Sequence, residues 1–124
     1  MTSHNDVIQS FIKGEDAKGH NITTYELSNG VRVLEGYDWA AYAAIKGRTA
    51  VVFEQWRGYS VTTSKHMGMT QGALRSALKR GDIKLREYAP EQIQKGRVQT
   101  SQLRREGLNE LIDKSQEVKT EHDY

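Results

Sequence analysis

The strongest constraint in this chain is a hairpin signature. Ile22 to Leu27 is rich in β-branched and aromatic residues, Asn29-Gly30 follows, and Val31 to Leu34 resumes the pattern. Asn-Gly between two such runs is the usual signal of a two-residue type I′ turn. Val31 and Val33 alternate with Arg32, as on a strand with one buried and one wet face. A second strand-turn-strand unit is predicted from Trp39 to Ile45 and Thr49 to Gln55, around Lys46-Gly47-Arg48. The four alanines of its first arm suit helix as well as strand. Ala50 to Phe53 reads as strand.

Two hairpins make one apolar face, which needs cover. The sequence downstream supplies it. Ser60, Thr62 and Thr63 are candidate N-caps. Met67, Met69, Leu74, Ala77 and Leu78 then follow a helical period, with a break expected at Gly68 and an end at Gly81-Asp82. Ile83 to Tyr88 alternates like a short strand. Pro90 suits the first turn of a last helix, through Ile93 and Leu103 to Ile112. The expected fold is α+β: a small antiparallel sheet of two β-hairpins covered by two or three helices. Residues 1–20 are read as a mobile N-terminal segment with a short helix near Asn5 to Lys13. Residues 21–112 form the single domain, and residues 113–124 a polar, mobile tail.

Composition narrows the function classes. The 124 residues fit one domain. There are no cysteines, so disulfides, thiolate metal sites and a cysteine nucleophile are excluded. No stretch is apolar for long enough to span a bilayer, and the start lacks a signal-peptide pattern, so a soluble, cytoplasmic protein is expected. Charge is uneven. Residues 1–56 carry five Lys/Arg and seven Asp/Glu, residues 57–105 carry eleven and three, and residues 106–124 carry two and six. A basic middle attracts polyanions through counterion release, although a solvated helix face has the same composition.

His4, His20, His66 and His122 lack metal-ligand spacing. Lys46-Gly47-Arg48-Thr49 lacks the spacing of a phosphate loop. No carboxylate pair stands out. A non-enzyme without cofactor or metal is therefore expected.

Thr63 to Gly81 resembles the helix-turn-helix of small phage repressors of the Cro type, over 19 of 124 residues. That resemblance implies a crossing at Ser64, a turn at Gly68, and a recognition helix from Thr70-Gln71. Thr70, Gln71, Gly72 and Arg75 would face bases. Lys65, Lys79, Arg80, Lys84 and Arg86 would contact phosphates. A homodimer reading two half-sites would follow. The competing reading is one amphipathic helix capping the sheet. Tyr59-Ser60-Val61-Thr62-Thr63-Ser64-Lys65-His66 also resembles the Tyr-Ser-x-Thr-Thr-Ser-Lys/Arg-His motif of a family of small phage proteins, which implies phage origin and a hairpin-then-helix layout. Thr62, Thr63 and Ser64 at a helix start beside Lys65 could hold an anion or serve as caps. Trp56, Arg57 and Tyr59 could stack on unpaired bases or form a protein-binding hot spot.

The leading expectation is a phage-encoded nucleic-acid-binding regulator or accessory protein that meets DNA or RNA through residues 57–105. The alternative is an inhibitor that binds a host enzyme or defence factor through the aromatic residues.

Overall fold

The computed structural model describes residues 2–88 and 96–119. The chain runs α1 (His4–Lys13), β1 (Ala17–Gly19), β2 (Ile22–Glu26), β3 (Arg32–Gly36), β4 (Ala40–Lys46) and β5 (Thr49–Phe53). A 3-10 turn (Glu54–Trp56) leads into α2 (Val61–Lys79), then β6 (Lys84–Tyr88), α3 (Thr100–Glu106), α4 (Asn109–Lys114) and β7 (Gln116–Val118). The strands form one seven-stranded sheet in sequence order, antiparallel except for the parallel pair β5–β6. This corrects the expected small two-hairpin sheet. Both hairpins are present, but β1 extends the sheet on one side and β6 and β7 on the other.

The first hairpin also differs in its turn. Gly30 takes φ +85° while Asn29 stays at negative φ, and the Gly30 N–H donates to Leu27 O. This is a three-residue loop ending in a left-handed glycine, not a type I′ turn. The Asn29 side chain accepts from Val31 N and donates to Leu103 O, tying the turn to α3. In the second hairpin Lys46 pairs with Thr49, and Gly47 at φ +63° opens the two-residue turn.

Helices cover both sheet faces. α1 and α2 touch each other on one face, where Tyr42 meets His66 and Arg75 meets Glu87. Residues of opposite parity meet α3 and α4: Arg104 lies over the Tyr25 ring, and Arg86 reaches Ile112 and Ser115. Double coverage buries every residue of β3, including Arg32 and Glu35. Arg32 is held by Asp16 at 2.9 Å and contacts Thr24, while Glu35 accepts from the Tyr25 hydroxyl.

The N-terminal segment is part of this body. Ser3 caps α1 by accepting from Asp6 N, Gly14 ends it at φ +81°, and Val7, Ile8 and Phe11 are fully buried. Each such side chain contributes roughly 1.5–3 kcal/mol of burial, which favours holding the helix against the sheet. The short helix expected near Asn5 to Lys13 is thus present and packs against β1, β2 and α2. At the other end, Ser115 is buried and β7 pairs with β6, so residues up to 118 belong to the sheet. The expected single last helix is two short ones, separated at Gly107 and Leu108. Its predicted start at Pro90 and Ile93 lies outside the described residues. Among the described residues no helix is long and apolar enough to cross a membrane.

Candidate functional site

α2 carries most of the residues predicted to bind. Nineteen residues form one uninterrupted helix. Gly68 sits in mid-helix, so the two-helix arrangement of the Cro-type motif is absent and the capping-helix alternative stands. Two mid-helix glycines cost about 1 kcal/mol each against alanine. Burial of His66, Met67, Thr70, Leu74 and Ala77 along one face offsets that cost.

The side chains expected to read bases are occupied by the fold. Thr70 is buried, and its hydroxyl donates to His66 O at 2.8 Å. Gln71 donates to Glu54 Oε1 at 2.5 Å. Burial raises the Glu54 carboxyl above its ordinary value, with Glu87 adding to the rise. Arg75 pairs with Glu87 at 2.6 Å, and Gly72 is exposed without a side chain to offer. Among the expected phosphate contacts, Arg80 pairs with Asp82 at 3.0 Å. Arg86 donates to Ser115 Oγ, Ser115 O and Ile112 O within 3.2 Å, holding α4 and β7 to the sheet. Lys65, Lys79 and Lys84 are exposed and make no ion pair among the described residues.

The Tyr59-to-His66 stretch builds a helix start. Ser60 is the cap, accepting from Thr63 N at 3.1 Å and donating to Thr63 Oγ1. Ser64 Oγ accepts from Gly58 N at 2.8 Å, Thr63 is buried, and Thr62 and Lys65 are exposed. The hydroxyls expected to hold an anion are thus largely engaged in capping. His66 is fully buried, shares a 3.1 Å hydrogen bond through Nδ1 with the Tyr42 hydroxyl, and meets the His4 ring edge at 4.5 Å. Its Nε2 has no hydrogen-bond partner among the described residues. Burial, with His4, Lys65 and His20 nearby, pushes the imidazole down to about 4. Tyr42 reaches it because the β3–β4 register steps from Leu34↔Ala43 to Glu35↔Ala41, leaving Tyr42 as the extra residue of a bulge. Its ring lies over Gly36, where a Cβ would come within 2.1 Å of the hydroxyl.

A different group of residues converges at the end of β4. Trp56 is buried, and its Nε1 donates to Val98 O at 2.9 Å. Trp39 and Tyr59 meet it edge-to-face at 5.1 and 5.2 Å. Arg97 lies over the Tyr59 ring at 5.1 Å and donates to Gln55 O. The Gln55 side chain donates to Gly96 O and accepts from Val98 N, which seats this segment beside β4. Thr100 N then donates to Trp39 O, and Val98 O accepts from Ala41 N. Tyr37, Trp39, Tyr59 and Val61 are 37%, 38%, 48% and 90% exposed. Arg57, also exposed, lies close by in sequence. The turn that presents Tyr37 and Trp39 places Tyr37 at φ +54° and Asp38 at φ +67°. Left-handed backbone at a bulky residue is strained and marks functional loops more often than neutral ones.

Sequence reasoning named Trp56, Arg57 and Tyr59 for this surface but left out Tyr37, Trp39 and Arg97. Two aromatics flanking Asp38 after Gly36 were the available signal for the turn. Nothing local marks Arg97, which arrives from 41 positions beyond Trp56. No family model matches the chain, and no curated protein or solved structure proved significantly similar to it.

Proposed function

We propose that this chain is a binding protein without catalytic chemistry, which docks another protein on the surface formed by Trp39 and Tyr59, with the exposed Tyr37 and Val61 each two positions away in sequence. The observation that carries the reading is the exposure of Trp39 and Tyr59 on a fixed aromatic base. Trp56 supports both rings from below, and Arg97 covers one face of Tyr59. Trp, Tyr and Arg are the residue types that dominate protein-binding hot spots. Rings already held by their neighbours lose little side-chain entropy on binding. Stacking on unpaired bases needs an open ring face, and the Arg97 guanidinium takes one face of Tyr59.

A second reading is nucleic-acid binding. It draws support from Lys65 and Lys79, which fall along one exposed stripe of α2. It ranks second because Arg75, Arg80 and Arg86 are engaged by Glu87, Asp82 and the α4–β7 junction.

The test is retention of a discrete protein partner on the immobilised chain, followed by mapping with variants. Trp39→Ala with Tyr59→Ala is expected to abolish retention, and Lys65→Ala with Lys79→Ala to leave it intact. Salt-dependent DNA or RNA retention that disappears with the lysine variant and survives the aromatic one would overturn the proposal in favour of the second reading.

A further inference from the structure

The strained turn has a second side. Lys18, His20, Asn21, Glu35, Tyr37 and Asp38 help line a pocket of about 270 Å³ beside it. That size is below the range of drug-sized ligand sites and suits one side chain. Asn21, Tyr37 and Asp38 are the three non-glycine residues at positive φ among those described, and all three line this pocket.

Glu35 sets its chemistry. The residue is 3% exposed, and its Oε2 accepts from the Tyr25 hydroxyl at 3.0 Å. Among the described residues no hydrogen bond reaches its Oε1, and Glu35 is one of the residues lining the pocket. Neither Glu35 nor Asp38 takes part in an ion pair among the described residues, Lys18 included. Buried carboxylates are almost always paired with a cation, because desolvation without one is costly. Tyr37, which also lines the pocket, is of a residue type that can bind a cation on its ring face.

We infer that this pocket receives a cationic side chain, an arginine, carried by the protein partner that covers Trp39 and Tyr59. The inference rests on the proposed docking surface, to which Tyr37 and Asp38 connect the pocket directly. A planar guanidinium can donate to the free Glu35 oxygen and to Asp38 at once, which a single ammonium does less well.

The experiment is titration of the isotope-labelled full chain with N-acetyl-L-arginine amide, followed by amide resonances. Asn21, Tyr37 and Asp38 are expected to shift, with millimolar affinity. N-acetyl-L-glutamine amide, neutral and of similar shape, is expected to leave them in place. Glu35→Gln is expected to weaken the arginine response by about tenfold and Asp38→Asn by about threefold. Asn tolerates left-handed backbone, so the second variant keeps the turn and decides the matter if Glu35→Gln fails to fold. No shift with the arginine probe, an equal shift with the glutamine probe, or an undiminished response in Asp38→Asn would overturn the inference. Trp39→Ala is expected to leave the arginine titration unchanged. A silent pocket with partner retention still lost in Trp39→Ala sinks the pocket alone. An intact arginine response with retention indifferent to Trp39→Ala sinks the docking surface alone.

Discussion

The helix α2 and the aromatic end of β4 make an instructive contrast. α2 holds residues whose types suggest recognition: Thr70, Gln71, Arg75 and a run of cations. The fold engages most of them, through a buried hydroxyl, a bond to Glu54 and ion pairs to Glu87 and Asp82. The aromatic end holds residues whose types suggest core, yet Trp39, Tyr59 and Val61 stay exposed. Residue type alone therefore ranks the two regions in the opposite order to the one we propose. What separates them is whether each side chain's partners already lie within the protein.

The largest expected effect tests the contact between the bulge and the adjacent strand. Gly36→Ala drives a methyl group into the Tyr42 ring, and a loss of about 3 kcal/mol is expected in chemical denaturation. Retained stability would show that the bulge is soft and that the turn presenting Trp39 is not rigidly held.

Acid should strike the α1–α2 side next. An unfolded His66 takes a proton near its ordinary value of 6.5, whereas the folded one resists until about 4. Between those values the unfolded chain binds more protons, so stability falls as pH drops through that window and is fully kept above it. The loss amounts to about 3 kcal/mol by pH 4. His66→Phe should remove this share of the slope in melts recorded from pH 7 to 4. An unchanged slope would place the acid sensitivity in the carboxylates.

Within the basic region, Arg86→Met is expected to cost about 2 kcal/mol, because charge-assisted bonds to Ser115 and Ile112 are lost. Lys79→Ala should stay within about 0.5 kcal/mol. Equal effects would mean that these cations are not divided between structural and solvated roles. At the aromatic end, Tyr59→Ala should lower the melting temperature by only a few degrees, about 1 kcal/mol, while removing partner retention.

The hairpins were legible because alternation and turn residues are local signals. Val31 and Val33 against Arg32 marked β3, and Gly47 marked the turn before β5. The sheet's extensions were not legible. β1 reads Ala-Lys-Gly and β7 reads Gln-Glu-Val, and neither has an apolar pattern, because both join through backbone pairing at the margins. β4 was ambiguous because both faces are covered, so its alanines show no alternation. α2 was expected to break at Gly68, but packing of Met67, Thr70 and Leu74 overrides local propensity. Of the candidate surface, Trp56 and Tyr59 were in view. The role of Arg97 depends on the Gln55 amide catching a segment some 41 positions away, which no window of sequence can reveal.

Strand order in the sheet equals strand order in the chain. Each strand therefore joins the one synthesised just before it, and the first four of the six pairings are closed by short turns without an intervening helix. Contacts of such short range close cheaply and favour quick assembly. On a ribosome, the first five strands can zip together while α2 is still emerging. The Trp39 turn would then be shaped before Arg97 exists to cover Tyr59, so the aromatic surface is completed only when the last third of the polypeptide arrives.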